Sequence, residues 1–219
     1  MAEKLNREAI ARAGLRLLDA TGIEGVTMRP LAAELGVQAA TLYWHVKSKE
    51  DIFRAMAATM SEDAAALMTP ADRRAPGREC ITRWARALLR TLLSHRDGAR
   101  VFAGTFAADP ASFEVIESVL DAWREAGVST VEAAQRTALL RHFIVGFCIE
   151  TQAVTELRSE PCHDQLDKMK ASVDPARFPL AAEALPILLT TSVEDHFELG
   201  LQLMLSGIPA IEDRHRTKR

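Results

Sequence analysis

A chain of 219 residues is long enough for one large domain or two small ones, and either can bury a substantial core. With 27 basic against 30 acidic residues and a net charge of -3, no global field marks a nucleic-acid partner, so any basic contact surface must be local. Aromatic residues make up 5% and hydrophobic ones 48%, many of them Ala and Leu, a composition that favours helices.

Taken in chain order, almost every segment repeats its apolar residues at the helical period, and none alternates as a strand does. Asn6 caps a first helix with apolar face Ile10, Ala13, Leu17 and Leu18, stopped at Gly22. Thr27 caps a short second helix that tolerates Pro30 in its first turn and ends at Gly36. A third short helix is expected over 38–45. Ser48 with Asp51 three positions on has capping-box spacing, so a fourth helix is expected to start at Lys49 and run to about Leu67.

The breaker-rich, charged stretch 68–77 reads as a loop between two units. Further helices are expected near 78–95, 97–106, 112–126, 130–157 and 180–208, the last broken by Pro186. Residues 158–179 hold Pro161, Pro175 and Pro179 and read as a long mobile connection. The end RHRTKR reads as a solvated basic tail. Cys80, Cys148 and Cys162 are few, odd in number and far apart, which fits neither a disulfide framework nor a zinc site. No run approaches a membrane span and the start lacks a signal-peptide core, so a soluble, cytoplasmic protein without a membrane partner is expected.

LAAELGVQAATLYWHV, residues 31–46, has the helix-turn-helix signature. Leu31, Leu35, Val37, Leu42 and Val46 are spaced to face a common core, Ala32 and Ala33 allow close helix approach, and Gly36 permits the turn. In such a unit the second helix enters the DNA major groove by its N-terminal residues. Gln38 can bond a base edge, and the methyls of Ala39 and Ala40 can meet a thymine methyl. Thr41, Tyr43, His45, Lys47 and Lys49 suit phosphates, while Arg29 is the best candidate for a guanine. The alternative for Tyr43 and Trp44 is packing that seals a small domain. Residues 1–50 hold seven Lys/Arg and six Asp/Glu, only +1, but Gly36 to Lys49 holds two Lys and no acid. One copy would bind weakly, so two copies on one duplex are expected.

GIEGVTMRPLAAELGVQAATLYWHVKSKEDI resembles the DNA-binding domain of the tetracycline repressor (TetR) family of bacterial regulators. LLSHRDGARVFAGT (92–105) and HFIVGFCIE (142–150) resemble the regulatory domain of the tetracycline repressor. The resemblance implies an all-α homodimer: an N-terminal three-helix helix-turn-helix domain plus a larger C-terminal helical ligand-binding and dimerisation domain. The corresponding boundaries are 1–49, a connecting helix 50–67, the effector and dimer domain 68–213, and the tail 214–219. The family's DNA contacts fall on Thr27, Arg29, Thr41, Tyr43, Trp44, His45 and Lys49, all retained. Gln38, Ala39 and Ala40 depart from Glu, Gln and Pro, which implies a different operator. Positions that hold drug- or magnesium-binding His, Asn, Phe, His and Gln appear here as Ala65, Trp84, Leu88, Phe102 and Val119, which argues against magnesium-tetracycline.

The resemblance implies an effector pocket that includes Trp84, Leu88, Phe102, Thr105, Val119 and Glu150, and Phe106, Phe113, His142 and Thr151 are further candidates for its wall and its few polar groups. Each has a plainer alternative. Ile81, Trp84, Leu88 and Leu92 form a stripe that equally suits a core, the phenylalanines equally suit packing at a bend, and His142 suits a satisfied structural histidine. Glu150 within an apolar helix is costly unless paired. Apolar stripes Leu140, Phe143, Phe147, Val154 and Val193, Phe197, Leu201, Met204, Ile208 suit a symmetric four-helix dimer interface, with an intrachain core as the alternative. No nucleophile–base motif, metal-ligand spacing or phosphate loop is present, so no catalytic residue, metal site or cofactor is expected. The sequence points to a dimeric repressor released from palindromic double-stranded operator DNA by a small, largely apolar effector. An activator or ligand-independent regulator is the nearer rival and a helical enzyme the more distant one.

Overall fold

The computed structural model describes residues 5–105, 110–157, 168 and 171–206, and every regular element among them is a helix. Helix α1, Arg7–Thr21, starts where Asn6 Oδ1 accepts the Ala9 N–H at 2.7 Å. It stops at Gly22, whose φ of 76° places it in the left-handed region. Helix α2, Met28–Glu34, follows Thr27, which has the extended conformation of a cap although its hydroxyl makes no capping bond. Gly36 turns the chain at φ 65°, and the Val37 N–H closes the turn onto the Ala32 carbonyl at 2.9 Å.

The regular part of α3 is only Ala39–Leu42, shorter than the 38–45 expected from the sequence. Beyond Leu42 the bonding tightens, with the Trp44 and His45 N–H groups reaching carbonyls three residues back (3.3 and 2.9 Å). A helix this short has little intrinsic stability, and its end relaxes into the narrower turn. Ile10, Leu18, Val26, Leu31, Leu42 and Val46 are buried and close a small three-helix core, with Leu35 and Val37 half-buried at its edge.

Helix α4, Lys49–Ala66, begins at Ser48, whose hydroxyl accepts the Asp51 N–H at 3.2 Å. The reciprocal bond of a capping box is displaced by one residue, since Asp51 accepts the Lys47 N–H at 2.9 Å. α4 packs on α1 on one side and on later helices on the other, so its buried residues, Ala57 and Ala65 as well as Ile52, Ala55 and Met56, spread over more than one face. Gly14 lets α1 approach closely, because a Cβ there would sit 2.8 Å from Met56 Sδ. Arg12 and Asp63 join the two helices through a two-pronged bond at 2.5 and 2.7 Å.

The expected loop 68–77 contains a one-turn helix, α5 (Pro70–Arg73). Thr69 and Asp72 cap it reciprocally, with Pro70 in its first turn. Helix α6 spans Arg78–Leu93, α7 Gly98–Phe102, α8 Pro110–Glu125 and α9 Thr130–Leu157. The Trp123 indole donates to Thr137 Oγ1 at 3.1 Å and ties α8 to α9. The described residues divide into two compact units, one ending at Cys148 and one over Ile149–Ser206, and α9 runs through both.

In the second unit lie α10 (Pro179–Thr190) and α11 (Val193–Met204). The break expected at Pro186 falls instead between them, because Ser192 caps α11 by accepting the Asp195 N–H at 3.0 Å. Pro186 lies inside α10, where it removes one backbone donor. The connection expected over 158–179 and the basic tail lie largely outside the described residues. No helix among the described residues is long and apolar enough to cross a membrane.

Candidate nucleic-acid interface and ligand cavity

The first three helices carry two populations of side chains. Their apolar residues are consumed by the small core, and what remains on α3 and its flanks faces solvent. Thr27, Arg29, Gln38, Ala39, Ala40, Thr41, His45 and Lys47 are exposed. Tyr43 is 51% exposed and Trp44 88% exposed, so neither seals the small core. An indole left almost entirely in water is a costly surface group without a partner to cover it.

Lys49 is placed differently from its neighbours. It is half-buried, its ammonium donates to the Ile23 carbonyl at 3.1 Å, and it lies 3.8 Å from Glu24 and 5.3 Å from the Phe53 ring centre. The lysine therefore ties the start of α4 to the turn between α1 and α2. In the first turn of α4, backbone donors hold the carboxyls of Glu50 and Asp51 below the usual carboxylate range.

In the first unit, α4, α6, α8, α9 and the turn after α7 enclose a cavity of about 360 Å³, within the range of small-molecule sites. Trp84, Leu88, Phe102, Thr105, Phe113 and His142, all chosen from the sequence, line it. Val119 does not: it is fully buried in the interior of α8's packing face, and its neighbours Ile116 and Leu120 reach the wall instead. Phe106 lies outside the described residues. Glu150 and Thr151 belong to the second unit and are not on the wall, and Glu150 is exposed, which avoids the burial cost expected for it.

Sequence reasoning missed Ser61, Ser112, Val115, Thr137 and Arg141, and the small residues Ala64, Ala134 and Ala138 that make the space. Ala134, Ala138 and Arg141 follow one another at i, i+4 and i+7 on α9, a stripe that was readable beside the more hydrophobic one chosen. The Thr137 hydroxyl is already used, accepting from Trp123 and donating to the Ala133 carbonyl at 2.8 Å. The Thr105 hydroxyl donates to the Phe102 carbonyl at 2.6 Å. Another depression, on the outer side of α6, is open and lined by charged groups such as Arg78, Arg83, Arg86 and Arg90. Among these, Arg83 is engaged by Asp72 and Glu79.

The cavity is joined to the exposed surface by short polar links. Asp97, buried at φ 54°, accepts the Ile23 N–H at 2.9 Å and pairs with Arg100 at 2.9 Å. Asp19 on α1 accepts the Arg96 N–H at 3.0 Å and faces His95 at 3.0 Å. The segment that ends in Phe102 on the cavity wall thus begins in bonds to the α1–α2 turn.

Of the side chains proposed for a dimer face, Leu140, Phe197 and Leu201 are buried within the chain itself, 1%, 1% and 2% exposed, and so are already covered. Phe143, Phe147 and Val154 are half-buried, and Met204 is exposed. The apolar groups that α11 leaves in solvent are Leu199, Leu203 and Met204, and α10 leaves Leu180, Ile187 and Leu188. On α11 the exposed apolar groups therefore lie mostly beside the stripe chosen by hydrophobicity, whose Phe197 and Leu201 have turned inward.

Two family models match the chain: "Bacterial regulatory proteins, tetR family" over residues 10–56, and "Tetracyclin repressor-like, C-terminal domain" over 69–211. The chain is 37% identical over 205 residues to the tetracycline repressor protein class C of Escherichia coli, covering 94% of this chain and 91% of that one. A possible TetR family transcriptional regulator from Streptomyces coelicolor A3(2) superposes with a TM-score of 0.77 at 34% identity, covering 98% of this chain and all of that one. The Streptomyces coelicolor TetR family protein ActR in complex with (S)-DNPA superposes with a TM-score of 0.75 at 25% identity, covering 94% and 98%.

Proposed function

We propose a repressor function for this chain, which belongs to the TetR family of bacterial regulatory proteins, DNA-binding transcription factors and not enzymes. In this reading it binds operator DNA as a homodimer and leaves it when a small, largely apolar effector fills the cavity beside Trp84 and Phe102. The observation that carries the reading is the outward surface of α3 and its flanks, where Trp44 stands 88% exposed beside Tyr43, Thr41, His45 and Lys47. A phosphate backbone supplies a partner for those groups, with hydroxyls, imidazole and ammonium as donors.

Arg29, Gln38, Ala39 and Ala40 then read base edges, and Thr27, Thr41, Tyr43, Trp44, His45, Lys47 and Lys49 fix the register. Lys49 reaches a phosphate only by exchanging part of its bonding to Ile23 and Glu24. The palindromic operator would hold two heads in successive major grooves roughly 34–36 Å apart. Exposed Leu199, Leu203 and Met204 on α11 are the apolar groups a second copy would cover.

Effector binding acts through α7. A ligand that displaces Phe102 moves the segment whose other end, at Asp97, grips the Ile23 N–H, and α7 also packs on α4. A change in head separation then disfavours simultaneous engagement of both half-sites, with a coupling of about 1–3 kcal/mol. The apolar replacements Ala65, Trp84, Leu88 and Phe102 favour an effector other than magnesium-tetracycline. An electrophoretic shift with the DNA upstream of its own gene tests the reading, and no shift at low salt would sink it.

A further inference from the structure

Among the described residues, the cavity wall carries one permanent charge. Arg141 reaches it from α9, and no Asp or Glu is among the described residues that line it. The guanidinium is held in place rather than swinging freely: Nη2 donates to the Thr105 carbonyl at 2.8 Å, and Cζ lies 4.9 Å from the centre of the Phe102 ring. A guanidinium has five N–H donors, so most of them remain to be satisfied after the Thr105 bond.

The other half-buried arginines among the described residues set the contrast. Arg12 holds Asp63, Arg73 holds Glu114 and Arg136 holds Glu132. Arg141 pairs with no carboxylate among the described residues, and burial alone pulls its pKa below the usual arginine value. A cation set into an apolar wall without a counter-charge costs free energy unless something brings that charge to it. The planar fork of donors matches a carboxylate, two N–H groups to two oxygens.

We infer that the effector is an aromatic or polycyclic acid, its ring system lying against Trp84, Leu88 and Phe102 and its carboxylate-like group received by Arg141. The inference rests on the reading that this cavity is the effector site. It names the chemical class that the site selects, a compact anion on an apolar body, and makes Arg141 the residue that distinguishes an acid from its neutral analogue. Arg141 also holds the carbonyl of Thr105 in the turn after α7, so an anion arriving at the guanidinium competes at the place where ligand binding meets the link to the head.

Isothermal titration with anthracene-9-carboxylate and with its neutral carboxamide tests this, since the two share ring and shape. Wild-type protein should bind the acid about tenfold or more tightly than the amide, the size of a desolvated charge-assisted bond. Arg141→Met should abolish the preference, and Arg141→Lys should retain part of the preference as a point charge without the fork. Equal affinity for acid and amide in wild type, a preference that survives Arg141→Met, or binding of neither compound would overturn the inference. The operator shift is measured separately. If DNA is not bound but the acid is preferred, only the repressor reading fails; if DNA is bound and the preference is absent, only this inference fails.

Discussion

Replacement of Asp97 isolates the link between the effector segment and the DNA-reading head. Its side chain is 9% exposed, it accepts the Ile23 N–H at 2.9 Å, and its backbone sits at φ 54°. Asp97→Ala removes a charged acceptor from a half-buried donor, about 2 kcal/mol, and places an alanine in a left-handed conformation that short polar residues tolerate better, about 1 kcal/mol. The partner Arg100 is exposed and regains water, so its loss adds little. A cost near 3 kcal/mol lowers the melting temperature by roughly 6–12 °C for a chain of this size. Asp97→Gly relieves the backbone and should lie about 1 kcal/mol above the alanine variant, while Asp97→Asn keeps an acceptor and the conformational tolerance and should lose only about 1 kcal/mol. Differential scanning calorimetry gives the order, and operator shifts with effector should show a weakened release in the alanine and glycine variants. A glycine variant less stable than the alanine one, or an alanine variant melting within about 2 °C of wild type, would refute the reasoning.

Trp44→Ala should reduce operator affinity about tenfold or more while changing stability by less than about 0.5 kcal/mol, because the indole touches little of its own chain. Arg29→Ala should relax selectivity at one base position by about 1–3 kcal/mol, whereas Lys47→Ala should weaken all sequences alike and reduce the salt slope by about one, both read from salt-dependent binding isotherms. Asp72, bonded by Thr69 and Arg83, has its carboxyl lowered from 3.8 to about 2, so its contribution is present above the ordinary value and is lost as pH falls through the folded one. The stability difference between wild type and Asp72→Asn, from denaturant titrations, should therefore shrink between about pH 4 and pH 2, and a constant difference would contradict the assignment. Burial raises the Cys80 thiol to about 11 and the Cys148 thiol to about 12. In a Cys162→Ser background Ellman's reagent at about pH 8 should label neither until denaturant is added, and a fast-reacting thiol in the native protein would show that one of them is accessible.

The all-helical architecture and several helix starts were legible because their causes lie within a few residues. Asn6, Ser48 and the glycines 22 and 36 act on their own turns, and the apolar spacing of Leu31, Leu42 and Val46 closes a core between neighbours in sequence. The same locality made the turn at Thr69 and Asp72 readable, a signal outweighed there by the breakers around it. The exposed surface Thr41 to Lys47 follows from that core, since whatever the core does not use must face outward. Other features were not local. Which α9 stripe meets the cavity was decided by α4, α6, α7 and α8, which approach it from far away in sequence, so Arg141 and Ala138 came to the wall while Val119 was enclosed. The same holds for Phe197 and Leu201, the most apolar choices for a partner, which the chain itself covers. Hydrophobic period tells that a helix has an apolar face; only the packing of its neighbours, which costs or gains free energy for each side chain in turn, settles what that face meets. Sequence alone determined most of the helices and the outward chemistry of the head, and the tertiary structure determined the cavity, its arginine and the bond from Asp97 that joins the two.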